Sequence, residues 1–256
     1  SARCVEPIGL DMSVSRGNAK PTFKRIDQNT LNAIVYAHES FLTGRPGGKR
    51  AQLSMFDISG LDLNDRDLTD AELSGARMRG TTMKGAKLTG AQLFAADLTM
   101  ANLEGAELTR ADLRGTCFRG AVLTEAIMIQ ADLREGVLAK FSKDSNLEVV
   151  DFGATPAELT TVLAMRANLT DAKLAKAFVV QADFTDAILK RTRLHRADLR
   201  NTVLTGADME GADLSDSNLA GAVMNGANLT GANWANAILT NTDLRGAAID
   251  PMAHKT

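Results

Sequence analysis

A chain of 256 residues with a formal charge of -2 and only 4% aromatic side chains has room for one large domain or two small ones, but it must build its core from Ala and Leu rather than from rings. The near-balanced charge argues against a generic nucleic-acid binder, no apolar run nears the roughly 18 residues of a membrane span, and the start "SARCVEPIGL" lacks the apolar stretch of a secretory signal. Cys4 and Cys117 do not have metal-ligand spacing, and so sparse a use of cysteine reads as a reducing, cytoplasmic compartment.

Taken in chain order, residues 1–26 form a poorly defined N-terminal segment. Residues 27–50 predict a helix and a turn. From Thr30 to Leu42, Leu31, Ile34, Val35, His38, Phe41 and Leu42 fall at helical spacing, and "TGRPGG" stops the run with Gly44 and Pro46. His38 on the apolar stripe has no second His, Cys or carboxylate at a productive spacing, so it reads as a packed histidine rather than a ligand or base.

Residues 51–138 change character. In "ADLTMANLEGAELTRADLRG" (96–115), Ala, then an acid or amide, then Leu recur every five residues. A helix repeats its apolar positions every three or four residues and a half-buried strand every two, so neither fits. The apolar column runs from Leu53 to Leu138, with Ile58, Met78, Met83, Phe118 and Met128 as variants. A small residue two places earlier and a polar one between make a minimal extended segment, with two side chains in and one out. If a corner follows each segment, the chain winds around an axis and stacked turns complete each other's hydrogen bonds. The frequent Gly in fifth place, as at Gly85 and Gly90, suits a corner of positive φ.

This Ala-(Asp/Asn)-Leu-X-X pattern resembles the signature of the pentapeptide-repeat family. The resemblance implies an all-β solenoid, a right-handed quadrilateral β-helix with four pentapeptides per coil. Such a solenoid needs a cover over its first rung, and the 27–50 helix is the expected cap. The first coil agrees, because its inward small slots carry Phe56, Leu61 and Arg66. Acidic residues Asp57, Asp62, Asp65, Asp67, Asp70 and Glu72 ring that end.

A second column, residues 167–250, starts at Leu169 and ends with Trp234, Leu239, Leu244 and Ile249. It is out of phase with the first by one residue, so residues 139–166 are expected to interrupt the coil. Thr155 as N-cap, Pro156 at the first helical position and Glu158 at N3 predict a short helix there. The competing reading makes "AELTT" (157–161) a degenerate repeat. The helix is preferred because the next in-phase centre, Ala164, fills the column poorly. The rest of the interruption either protrudes as a partner-binding loop or packs Phe141, Val149, Val150 and Phe152 against the stack. A short tail, 251–256, follows.

No phosphate loop, nucleophile elbow or metal spacing occurs, and a solenoid filled with Leu offers no recess. The reading is therefore non-enzymatic, with no catalytic, cofactor-binding or metal-ligating residues and no cofactor. The expected function is a protein-interaction scaffold for an unknown protein partner, with neither direct nucleic-acid nor membrane binding. Lys190, Arg191, Arg193, His195, Arg196 and Arg200 form a candidate docking patch for an anionic partner. Their alternative role is solvated charge neutralised by Asp183, Asp186 and Asp208 on adjoining coils. Trp234, Leu239, Leu244, Ile249 and Met252 form a candidate end for a two-fold homodimer. The resemblance also implies a rival function, that of a DNA mimic that binds and protects or inhibits a type II topoisomerase. Members of that kind are strongly acidic, whereas the basic cluster here interrupts any acidic track.

Overall fold

The structure, a computed structural model, describes residues 23–141 and 147–250. Strand β1 (Lys24–Arg25) pairs in parallel with β2 (Phe56–Asp57), and between them lies helix α1 (Gln28–Leu42). The helix starts two residues before the expected Thr30 because Asp27 is its N-cap, its carboxylate accepting the Thr30 N–H at 2.8 Å. Leu31, Val35 and His38 form its buried face. The helix is clamped to the first coil by polar bonds as well. The Gln28 side chain exchanges two hydrogen bonds of 2.8 Å with the backbone of Asp62, and Arg66 forks onto the Glu39 carboxylate at 2.9 and 2.8 Å. That pair explains an Arg in an inward slot, and its hydrogen bond holds the Glu39 carboxyl below its usual range. His38 Nδ1 accepts the Ala51 N–H at 3.2 Å, so the ring sits neutral in the contact, and burial pushes its pKa down.

From Ala51 onward the repeats follow one plan. Between the first and last coils the column residue and the small residue two places before it are buried and the residue between them lies outward, whereas Phe56, Leu61 and Arg66 in the first coil and both inward positions of the last coil are partly buried. The outward residues bridge in parallel to those one coil further on, as Asn102 does to Val122 and Asp62 to Thr82. The backbone ladder has three rungs per repeat, shown by Leu103 N–H to Val122 O at 2.8 Å, Gly105 N–H to Thr124 O at 2.9 Å and Val122 N–H to Ala101 O at 2.9 Å. Each corner closes on a bond such as Ala106 N–H to Leu103 O at 3.0 Å, with the residue before the Ala, here Gly105, at φ 65. The left-handed corner is obligatory even without glycine, since Ala95, Met100 and Arg110 hold φ values of 53, 59 and 57. Each of those costs on the order of 1 to 2 kcal/mol relative to glycine. Inward Thr is tolerated because its hydroxyl finds a partner across the coil, Thr192 Oγ1 donating to Leu169 O at 2.9 Å and Thr202 Oγ1 to Val179 O at 2.7 Å.

Four rows of outward residues define four faces. Face 1 runs from Gln52 through Asp132, Lys173 and Arg193 to Asn233, and face 2 from Asp57 through Cys117 and Glu158 to Ile238. Face 3 runs from Asp62 through Val122 and Leu163 to Asp243, and face 4 from Asp67 through Ile127 to Ala248.

The interruption differs from expectation. No helix forms at 155–163. Glu158 bridges Cys117 and Phe178, Leu163 bridges Val122 and Asp183, and Leu159 is a fully buried column residue. The second block thus starts at Ala157 rather than 167, and the first column ends at Leu133, because Leu138 lies in a hairpin. Strands β3 (Gly136–Phe141) and β4 (Leu147–Thr155) pair antiparallel, with Leu138 opposite Val150. The hairpin occupies one corner, and the coil closes beneath it through Ala157 N–H to Leu133 O at 3.4 Å. The coil therefore runs straight through, with a 21-residue excursion between Glu135 and Ala157. The helix signal at Thr155, Pro156 and Glu158 lost to the ladder, which with its corner bond pairs the N–H groups of 157–159 and 161–163 without a helix. Ala164 fits the column because Val162 occupies the small slot beside it and both are fully buried. Large and small have exchanged places at constant volume. The packing expected of Phe141, Val149, Val150 and Phe152 concerns side chains outside those described.

Candidate functional surface

The interior leaves no room for chemistry. Column residues such as Leu93, Leu98, Leu103, Leu108 and Leu113 are fully buried, as is the Ala stacked beside each. Among the described residues no group of His, Cys, Asp or Glu is placed to hold a metal ion, and no helix is long and apolar enough to cross a membrane. Among the described residues the charged side chains lie on the outward lattice, at its corners and against α1.

Much of that lattice serves its own backbone. Asp97 Oδ1 accepts the Thr99 N–H at 3.1 Å and the Thr99 hydroxyl at 2.6 Å, and Asp183 and Asp213 repeat the arrangement with Thr185 and Ser215. Where Arg stands at the corner, it forks back onto the same carboxylate. This occurs at Asp112–Arg114, Asp132–Arg134, Asp198–Arg200 and Asp243–Arg245. The Arg245 hydrogen bonds draw the Asp243 carboxyl down to about 2.

The structure spreads the basic cluster over three corners and one face. Lys190 and Arg191 occupy the corner before face 1, Arg193 the face itself, His195 and Arg196 the next corner, and Arg200 the one after. Most have acidic partners, though not those the sequence suggested, Asp208 excepted. Lys190 reaches Glu210 at 2.8 Å and Asp208 at 3.0 Å, and both bonds raise its pKa. Arg191 forks onto Asp171 at 2.8 Å, Arg196 lies 3.7 Å from Asp216, and Arg200 is 2.6 Å from Asp198. His195 is 4.0 Å from Asp213. Such exposed pairs are worth under about 1 kcal/mol each. Arg193 is the member of the cluster without an ion pair among the described residues. It and Arg110 line a shallow groove on face 1 together with Gln92, Asp112, Arg114 and Lys173.

At the other candidate site, Trp234, Leu239, Leu244 and Ile249 point inward as predicted but are only partly buried. One coil earlier Leu214, Leu219, Met224 and Leu229 are at most 2% exposed. Met252 lies outside the described residues, as do Cys4, His254 and the rest of 1–22 and 251–256. Cys117 is buried on face 2 and is held in a disulfide. One feature escaped the sequence reading. Apolar outward residues gather on face 3, whose row is continuous only once the hairpin between Val122 and Leu163 is set aside.

This is a solenoid of pentapeptide repeats. The family model described as pentapeptide repeats matches residues 49–85, 86–124, 165–201 and 217–250, more than half of the chain. The chain belongs to that family, whose fold is a right-handed quadrilateral β-helix. The chain is similar to a trypsin-treated variant of QnrB1, a plasmid-mediated fluoroquinolone resistance protein, at 18% identity over 79% of this chain and 91% of that one, with a TM-score of 0.51. It is also similar to HetL, a pentapeptide repeat protein involved in heterocyst differentiation regulation from the cyanobacterium Nostoc sp. strain PCC 7120. That match has 26% identity, covers 85% of this chain and 96% of HetL, and has a TM-score of 0.34. A third is Rfr23 from the cyanobacterium Cyanothece 51142, at 27% identity over 52% of this chain and 86% of that one, with a TM-score of 0.37. No curated protein matches the chain.

Proposed function

We propose that the chain is a non-enzymatic scaffold that holds a protein partner on a rigid β-helix. The observation that carries this reading is the filled interior, which leaves the outward lattice as the surface on which a partner can be met. Its coil spacing, about 4.8 Å, fixes side chains in rows with little freedom to lose on binding. Helix α1 covers the first rung and keeps that end from pairing with other chains.

The basic cluster supplies one docking site on this reading, centred on Arg193. Replacing Arg191, Arg193 and Arg196 together with Ala is expected to abolish capture of the partner in a pull-down and to leave the circular dichroism unchanged, while capture by the parent should weaken as salt rises. Undiminished capture would return all three to ordinary surface.

The rival reading, a DNA mimic acting on a type II topoisomerase, draws on the fold shared with QnrB1. A mimic needs a continuous acidic track, whereas here Lys173 and Arg193 interrupt face 1 and Arg77 face 2. Inhibition of gyrase supercoiling at stoichiometric protein, or protection from a quinolone, would decide for the mimic.

A second copy is the proposed occupant of the partly exposed rung of Trp234, Leu239, Leu244 and Ile249. Light scattering is then expected to give twice the chain mass, with Trp234 fluorescence shielded from iodide. Replacing Leu239 and Leu244 with Asp should yield a monomer whose Trp is readily quenched. A monomeric parent with quenchable Trp would remove the dimer and leave the scaffold untouched.

A further inference from the structure

On face 3 five consecutive coils place Val122, Leu163, Asp183, Val203 and Val223 in one row, each bridged to the next. Four apolar side chains thus flank a single carboxylate, in a slot that elsewhere on the solenoid is mostly polar. Leu163 is 44% exposed, and on the adjoining face Ile127 and Ile188 are each 37% exposed. Such a contiguous apolar strip on a face that needs no hydrophobic residue for its fold marks an interaction surface.

The charge around the strip is one-sided. Arg166 is engaged by Glu125, Lys190 by Glu210 and Asp208, Arg119 by Glu158, and Arg200 by Asp198. Asp183 accepts only the N–H and hydroxyl of Thr185. Among the described residues neither it nor Asp186 at the following corner has a cationic partner. The unmet requirement of the strip is therefore one positive charge at its centre, with apolar groups on either side.

We propose that face 3 binds an amphipathic helix of a partner protein that carries Lys or Arg in the middle of its apolar seam and seats it on Asp183. The proposal rests on the scaffold reading and names the chemistry of the partner. The dimensions fit. Five coils span about 19 Å at about 4.8 Å per step, and about 14 residues of helix cover about 21 Å at about 1.5 Å each. Apolar residues at i, i+4, i+11 and i+14 then meet Val122, Leu163, Val203 and Val223, and the base falls at i+7.

The probe is a fluorescent synthetic helix with Leu at those four seam positions and Arg at i+7, paired with a control carrying Glu at i+7. Fluorescence anisotropy against the full chain is expected to show binding of the Arg helix at least tenfold tighter than the Glu helix. Asp183→Arg should reverse that order, and Leu163→Glu should weaken the Arg helix at least tenfold. Both changes face solvent, so circular dichroism should match the parent. Equal binding of the two helices, or binding indifferent to both substitutions, overturns the proposal. So does a dimer in sedimentation that Leu163→Glu dissociates, which would make a second copy the occupant. Absence of helix binding while the Arg191, Arg193 and Arg196 site still captures a partner removes face 3 and leaves the scaffold reading standing.

Discussion

Replacing Leu103 with Asp is expected to unfold the stack around its coil, while Glu104→Lys one residue on should be nearly silent. Leu103 is fully buried, and its N–H is fixed to Val122 O at 2.8 Å, so the new carboxylate cannot turn outward without breaking the ladder. The loss combines about 1.5 to 3 kcal/mol of buried Leu with the several kcal/mol of a buried, unpaired charge. Together these rival the whole stability of an ordinary domain, about 5 to 15 kcal/mol. Glu104 instead forms an exposed pair with Lys84 at 2.9 Å. Removing that pair and placing two lysines together costs under about 1 kcal/mol. Thermal melts followed by circular dichroism should separate the variants widely. Equal melting temperatures would mean that Leu103 does not face the core.

The hairpin invites a second test, in which two deletions differing by one residue should have opposite outcomes. Removing residues 136–156 joins "ADLRE" directly to "AELTT". The corner bond from Ala157 N–H to Leu133 O already exists, so the join should relax it from 3.4 Å toward the 3.0 Å of an ordinary corner such as Ala126 to Leu123. The shortened protein should melt within a few degrees of the parent. Removing 136–157 takes one residue more. The corner can then no longer be spanned in register, and each following residue moves to the neighbouring slot. Glu158, Leu163 and Asp183 would trade places with buried neighbours, a slip that turns the pattern inside out. That variant is expected to lose the cooperative melt of the second block. If both deletions melted alike, the continuity of the coil beneath the hairpin would be wrong.

The two deletions also show what was legible in the sequence and what was not. The inward column could be read because every repeat imposes the same steric test, so Leu98 and Leu123 announce themselves without tertiary information. The first coil's larger inward groups, Phe56, Leu61 and Arg66, are the signal that set the expectation of a cap, and Arg66 meets Glu39 of α1. The interruption misled because Thr155, Pro156 and Glu158 satisfy the local rules for a helix start, while the competing ladder bonds come from Thr116 and Phe178, distant in the chain. Ala164 seemed too small only when judged apart from Val162. The surfaces were least legible. Which outward residues share a face depends on counting twenties across an insertion of unknown place, so Val122 and Leu163 look unrelated at a separation of 41 although they are bridged neighbours. Pairing of the basic cluster needed only the step of one coil, since Arg191 meets Asp171 and Lys190 meets Glu210, each 20 residues away with no insertion between.

The clamp at α1 gives the molecule a mechanical polarity. Each coil touches only its neighbours, so a pulled chain has to surrender its coils singly and in order, starting from an end. The N-terminal rung is held by Gln28, Glu39 and the buried face of α1, while the rung of Trp234 and Leu239 is bonded to coils on one side among the described residues. Tension on a single copy is expected to peel the described coils from that rung toward the helix. Each released coil of 20 residues yields about 70 Å of thread at roughly 3.5 Å per residue, and the rod behaves as a ratcheted spool with a fixed hub rather than as a spring.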